Sequence, residues 1–368
     1  MPEAERIALT AARREESPEP RAWLVVAAAR FRQEKYAEAV EAYRQYLPHC
    51  DSPTLRQYVL GRLDACREAL ESLRALQAPS ERLTEEQLAE LTTVDDDVHI
   101  EVTHHFVVRS RNALLSRLVA EEAEAALSRI RRELLADQEL NYHVNIVIWT
   151  DRSEYLLGAP ASAPEWSGGC FTIAMTKGRV IRRVDVTQLD EQGEFAARML
   201  DRVLPHELCH LVLTEFFGQA ACPLALHEGL ATLAESIEQE GRVLLAGKAL
   251  AGPGKIPLSE LFAMDRKDLS GRELLFYAEA ASFCDFLRGR LSPAEFRGFL
   301  ENVREGRTVV EAAARSLGMP ANGDLSAAIA AAWEQQAIAD AQFVEALAAR
   351  PIQDEPAPDE TPQPAPSN

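Results

Sequence analysis

Residues 206–210 read His206-Glu207-Leu208-Cys209-His210, and this short segment holds the residue types a hydrolytic metal centre needs. On a helix His206 and His210 stand one turn apart on one face, so both imidazoles can reach the same small cation. Glu207 lies about 100° round the helix. From there its carboxylate is placed poorly as a third ligand and well as a general base, hydrogen-bonded to a water in an open coordination position. A third ligand follows at a workable distance. The helix can run from His210 to a stop near Gly218, and Cys222-Pro223 can open a second helix that carries Leu224 to Glu235. About eight residues out and five back bring Glu228 level with the histidines. Two neutral imidazoles and one carboxylate leave one tetrahedral position to water, which is the pattern of catalytic rather than structural zinc. Thr232 and Glu235 fall at i+4 and i+7 from Glu228, on its face, where they can orient the ligands.

The elements that must position these groups are legible nearby. Leu204, Leu208, Leu211, Val212, Phe216 and Phe217 make the clamp segment apolar well beyond one stripe, which places the histidines inside the fold. Pro205 fits the first turn of a helix, so the clamp helix starts or kinks near Leu204. His227 is a rival ligand but points about 100° away from Glu228. Cys209, at i+3 from His206, reads as a packed thiol. His104 and His105 fall on an expected strand, facing opposite ways, and neither is assigned to a site. The competing reading of His206 and His210 is a pair of core histidines; that of Glu228 is a carboxylate favoured by a helix N-terminus.

The pattern His206-Glu207-x-x-His210 followed by Leu226-x-Glu228-Gly229-Leu230-Ala231 resembles the gluzincin metallopeptidases, and most of all the bacterial proteins called peptidase MA-like. Ala225 stands where that family usually has Trp. His105-Phe106-Val107-Val108 is similar to the family's opening strand, Trp166-Ser-Gly-Gly169 to its turn before the edge strands, and Tyr277-Ala-Glu-Ala-Ala-Ser-Phe283 to its later Tyr-bearing helix. The resemblance implies a zincin-like catalytic domain, one Zn2+ per chain held by His206, His210 and Glu228, Glu207 as general base and proton shuttle, and Tyr277 as a phenol that donates to the oxyanion. Tyr277 keeps a second reading, because Leu274, Leu275, Phe283, Phe286 and Leu287 around it also describe a buried helix with a packed aromatic. Leu213 and Phe216 stand where metzincins carry Gly and His, which counts against that branch.

The expected fold is α+β: a mixed sheet with active-site helices, preceded by an α-helical hairpin module. Residues 1–78 are expected to be helical. Trp23, Val26, Ala27, Ala39, Tyr43 and Tyr46 fall on the small and large positions of one tetratricopeptide repeat, with Asp51 near its closing position. Leu55 to Gln77 reads as one amphipathic helix around Leu60, Leu63, Leu70 and Leu73. Residues 79–97 form a linker. The peptidase domain spans 98–349, with strands at 98–109, 145–149, 169–175 and 179–186, the last two joined by a turn at Lys177-Gly178, and a helix at 112–136. In gluzincins such an edge strand pairs with extended substrate. Helices follow the zinc segments, including 309–317 and 325–347. Residues 350–368, rich in Pro, Asp and Glu, read as a disordered tail.

Composition bounds the function. The net charge of −19 excludes the basic footprint that nucleic-acid binding needs. No 18-residue apolar span is present, so no transmembrane helix is expected. The run from Trp23 to Ala29 follows an acidic stretch where a signal peptide would be basic, and the six cysteines show no paired spacing; both point to a cytoplasmic protein with free thiols. The expected function is zinc-dependent peptide hydrolysis, with a peptide or protein as substrate and a protein partner for the N-terminal helices. The rivals are an inactive zincin-fold scaffold acting through its helical repeat, against which an intact Glu207 argues, and a hydrolase acting on something other than peptides.

Overall fold

The computed structural model of the protein describes residues 8–10, 12, 20–32, 35–50, 52–77, 97–135, 139–159, 168–176, 179–190, 192–196, 198–236, 239–320 and 323–348. The expected linker up to residue 96, the tail at 350–368, Asp51, Trp166, Ser167 and the Lys177-Gly178 turn lie outside these residues. Residue contacts divide the chain into two compact units, Met1–Ala221 and Cys222–Asn368. The architecture is α+β, with one five-stranded mixed sheet.

The first unit opens with helices α1 (Pro20–Arg32), α2 (Tyr36–Tyr46) and α3 (Pro53–Gln77). They have a core of their own. Val26, Ala27, Ala39, Tyr43 and Tyr46, together with Val59, Leu63 and Cys66, form one buried cluster against which Trp23 and Leu70 pack. The repeat-like positions thus supply the apolar burial that holds the helices together. The buried stripe of α3 differs by one position from the expected one. Val59 is buried and Leu60 is exposed, because the face set by Leu63 and Cys66 continues back to Val59 at i−4 and not to Leu60.

The sheet follows: β1 (His99–Val102), β2 (Phe106–Ser110), β3 (Val144–Trp149), β4 (Gly169–Thr176) and β5 (Arg179–Thr187), in spatial order β1-β2-β3-β5-β4. The segment 98–109, expected as one strand, is a hairpin. β1 and β2 pair antiparallel with Val102 opposite Val107. Thr103 makes the turn: its amide donates to the Phe106 carbonyl at 2.9 Å and its hydroxyl accepts from the Phe106 amide at 3.2 Å. A threonine hydroxyl here does locally what Gly or Asn does in more recognisable turns. The inner pairs, β2 with β3 and β3 with β5, are parallel, and β4 lies on an edge, antiparallel to β5.

Helix α4 (Ala113–Ile130), capped by the Asn112 side chain accepting from the Leu115 amide, connects β2 to β3 and continues as a π turn to Leu135. It packs on β1 and β2. Along β3 burial alternates, with Val144, Ile146 and Ile148 buried, which is the period-2 signature of one face against a core. A short helix α5 (Arg152–Gly158) follows β3, and α3 packs beside β4 and β5. Helix α6 (Leu204–Phe217) packs on α4, β4 and β5 and ends the unit.

The second unit is helical: α7 (Leu224–Ala234), α8 (Gln239–Leu250), α9 (Leu258–Leu261), α10 (Glu273–Arg290), α11 (Pro293–Arg304), α12 (Val309–Ser316) and α13 (Leu325–Ala348). Capping boxes at Ser292/Glu295 and Thr308/Glu311 start α11 and α12, each contributing about 1 kcal/mol through satisfied terminal amides. Phe276, Phe283, Phe296, Phe299 and Trp333 form the aromatic core, and Trp333 Nε1 donates to Ser282 Oγ at 3.1 Å. Helix α7 meets α10 closely at Gly229, where a Cβ would stand 2.5 Å from the Ala280 carbonyl oxygen. The glycine after Glu228 is therefore a packing requirement: any side chain would push α7 off α10. Among the described residues no helix is long and apolar enough to cross a membrane.

Candidate metal centre

The clamp sits where its sequence placed it, on α6, with one addition. The α-helix begins at Leu204 with Pro205 in its first turn, and the residues before it, Met199–Val203, form a π turn. Pro205 has no N–H to offer the preceding turn, so the wider spacing accommodates its ring without breaking the helix. The helix ends at Gly218, whose φ of 58° reverses the chain.

His206 is half-buried, whereas Glu207 and His210 are 7% and 8% exposed. The two imidazole rings lie edge to face with centroids 4.7 Å apart, the approach that i and i+4 positions dictate. Around them Leu204, Leu208, Cys209, Leu211 and Leu213 are fully buried, so the apolar helix does carry its polar residues into the core. Cys209 is a packed thiol, as its spacing implies. Arg182 on β5 anchors this helix to the sheet: it pairs with Glu215 and stacks 3.9 Å over the Tyr142 ring. Burial and the Glu215 charge raise the Tyr142 phenol well above its ordinary value, so it stays neutral.

Glu207 has neighbours that sequence reasoning missed. Tyr155 on α5 and Cys170 on β4 both lie within its electrostatic reach. Burial pushes the Cys170 thiol up to about 12, with the Asp185 and Glu207 carboxylates adding to the rise against the Tyr155 and Arg183 contributions. Tyr155 is raised by burial first, and then by the Cys170, Glu207 and Asp185 charges. Both groups stay protonated at neutral pH. No local pattern marks Tyr155 in the sequence.

In the second unit Glu228 sits on α7, 1% exposed. Arg266 Nη2 donates to its Oε1 at 2.9 Å. Burying a carboxylate this deeply costs several kcal/mol without a partner, and the guanidinium offsets that. Thr232, one turn on, is 2% exposed. Glu235 lies just beyond the last helical residue, in extended conformation, so the expected i+7 placement stops one residue short. Its carboxylate is held by Arg242, and Gln239 Nε2 donates to the backbone carbonyls of Glu235 and Thr232 at 2.9 and 3.1 Å. Tyr277, on α10, is half-buried, while Phe276, Phe283, Phe286 and Leu287 are buried. Leu274, which also reads as a core residue, is 79% exposed.

His206 and His210 bring two imidazoles together on α6, and Glu228 offers a buried carboxylate on α7. The donor set, two imidazoles and a carboxylate, suits zinc. His227 does not join the group. No family model, no curated protein and no solved structure matches the chain.

Proposed function

We propose that the protein is a zinc-dependent metallopeptidase of the gluzincin type, with a zincin-like catalytic domain. The observation that carries the reading is the pair of imidazoles that His206 and His210 bring together on α6, with Glu207 buried one residue from the first of them.

The residues divide the work. His206, His210 and Glu228 would hold the ion, which when bound supplies Lewis-acid polarisation of the scissile carbonyl and makes a water more acidic. Glu207 accepts the proton of the attacking water and returns it to the leaving amine. Arg266 on Glu228 Oε1 suits the outer hydrogen bond that orients a ligating carboxylate. Thr232 and Glu235 stiffen the end of α7 through Gln239 and Arg242. Tyr277 is the candidate donor to the charge that develops on the carbonyl oxygen. Strand β4, at the sheet edge, is where an extended peptide would pair by strand addition. The helices over residues 20–77, with their own core, resemble a tetratricopeptide unit and would serve recognition of a protein substrate or partner.

Metal analysis of the purified full-length protein combined with a quenched-peptide library tests the reading. Zinc that copurifies and is removed by His210→Ala, with cleavage of at least one peptide pool, supports it. A parent protein that holds no zinc after reconstitution overturns it.

A further inference from the structure

A second constellation with metal-ligating residue types lies in the turn between β1 and β2. The hairpin places His104 and His105 within the turn. Adjacent side chains on a strand diverge to opposite faces, but the Thr103–Phe106 hydrogen bonds bend the backbone here, and the two rings meet edge to face with centroids 4.4 Å apart. The ligand atoms of His104, His105 and Glu139 lie within 4.8 Å of one another.

His105 is tightly held. Its amide donates to Glu124 Oε1 at 2.8 Å, its carbonyl accepts from the Val144 amide at 2.8 Å, and its Nδ1 lies 2.7 Å from Glu124 Oε2. Its side chain is only 10% exposed. The carboxylate on Nδ1 selects the tautomer with the proton there, which is how proteins present the other ring nitrogen to a metal. That other nitrogen, Nε2, is buried and has no hydrogen-bond partner among the described residues. It faces Glu139 Oε2 at 3.7 Å. A divalent cation seated between this nitrogen and the carboxylate oxygen would be attracted to both. Arg131 holds the far oxygen of Glu139 at 3.0 Å, so the carboxylate is already oriented.

We propose that His104, His105 and Glu139 form a second divalent transition-metal site, of the chemistry that zinc satisfies, which pins the β1–β2 turn to the segment following α4. Two imidazoles and one carboxylate select zinc and its neighbours over calcium or magnesium. Ligand atoms around tetrahedral zinc stand about 3.3 Å apart; His104 and Glu139 are exposed, and their side chains have the freedom to close the remaining distance. The neighbouring Glu124 carboxylate is engaged by the His105 amide and ring, so the role of the site is structural or regulatory.

The test is a zinc titration of chelator-stripped full-length protein by calorimetry, repeated with cobalt and visible absorption, on the parent and on His104→Ala and Glu139→Gln. Both variants alter exposed side chains, so the fold survives. The parent is expected to bind one equivalent more than His104→Ala, with Glu139→Gln weakening that equivalent at least tenfold. The same difference should persist when His210→Ala is added to each protein, which separates this site from the clamp. Identical stoichiometry and affinity in the parent and both variants would overturn the proposal and leave His105 as a bridge between two carboxylates.

Discussion

Arg266 donates to Glu228 across 38 residues of sequence, meeting a side chain that is 1% exposed. The contact gives the account its most specific consequence. If the guanidinium orients the ligating carboxylate, Arg266→Ala should weaken zinc binding by about 10- to 100-fold while leaving all three ligands in place. Zinc affinity measured by competition with a chromophoric chelator checks this. An unchanged or tighter affinity would mean that Arg266 serves only to neutralise a buried charge.

Tyr277 separates two readings in one variant. As a donor to the oxyanion it contributes only as charge develops, so Tyr277→Phe should lower kcat by roughly 10- to 1,000-fold with little change in KM. Its side chain is half-buried, edge to face with the buried Phe276. Wild-type turnover in a protein of lower Tm would instead make it a packing residue.

Glu279 carries a pH signature of its own. It is fully buried on α10, accepts from the Ile256 amide with both oxygens at 3.2 and 3.1 Å, and is pushed by burial from an ordinary 4.5 up to about 7. Between those values the folded chain holds a proton that the unfolded chain has released, so stability falls as pH rises through that window. Glu279→Gln removes the titration and keeps an acceptor for Ile256. Thermal unfolding from pH 4.5 to 7.5 should therefore show the variant gaining on the parent as pH rises; parallel curves would refute the assignment.

Much of the candidate centre was legible before any fold was drawn. The one-turn spacing of His206 and His210, the apolar helix around them and the stop at Gly218 are local properties of a helix, and local periodicity survives folding. Gly229 likewise marked the second segment, though its reason, the approach of Ala280, is tertiary. What stayed hidden was long-range or lacked a turn signal. Arg266 and Arg242 are ordinary charged residues until Glu228 and Glu235 are buried beside them. The β1–β2 hairpin read as one strand because Thr103 closes its turn with no glycine, proline or asparagine to announce it, and with the hairpin went the convergence of His104 and His105. The π turn before Pro205 followed from the proline, but its form did not.

The claim that this is a hydrolytic zinc centre rests on Glu207 most of all, since an inert metal-binding scaffold has no use for a buried carboxylate one residue from a ligand. The most direct measurement is peptide hydrolysis by zinc-loaded Glu207→Gln beside the parent, with zinc content and Tm measured on both. Loss of cleavage by several orders of magnitude at equal zinc and equal stability is the predicted result, because the water then lacks its proton acceptor. Cleavage at the parental rate would contradict the account.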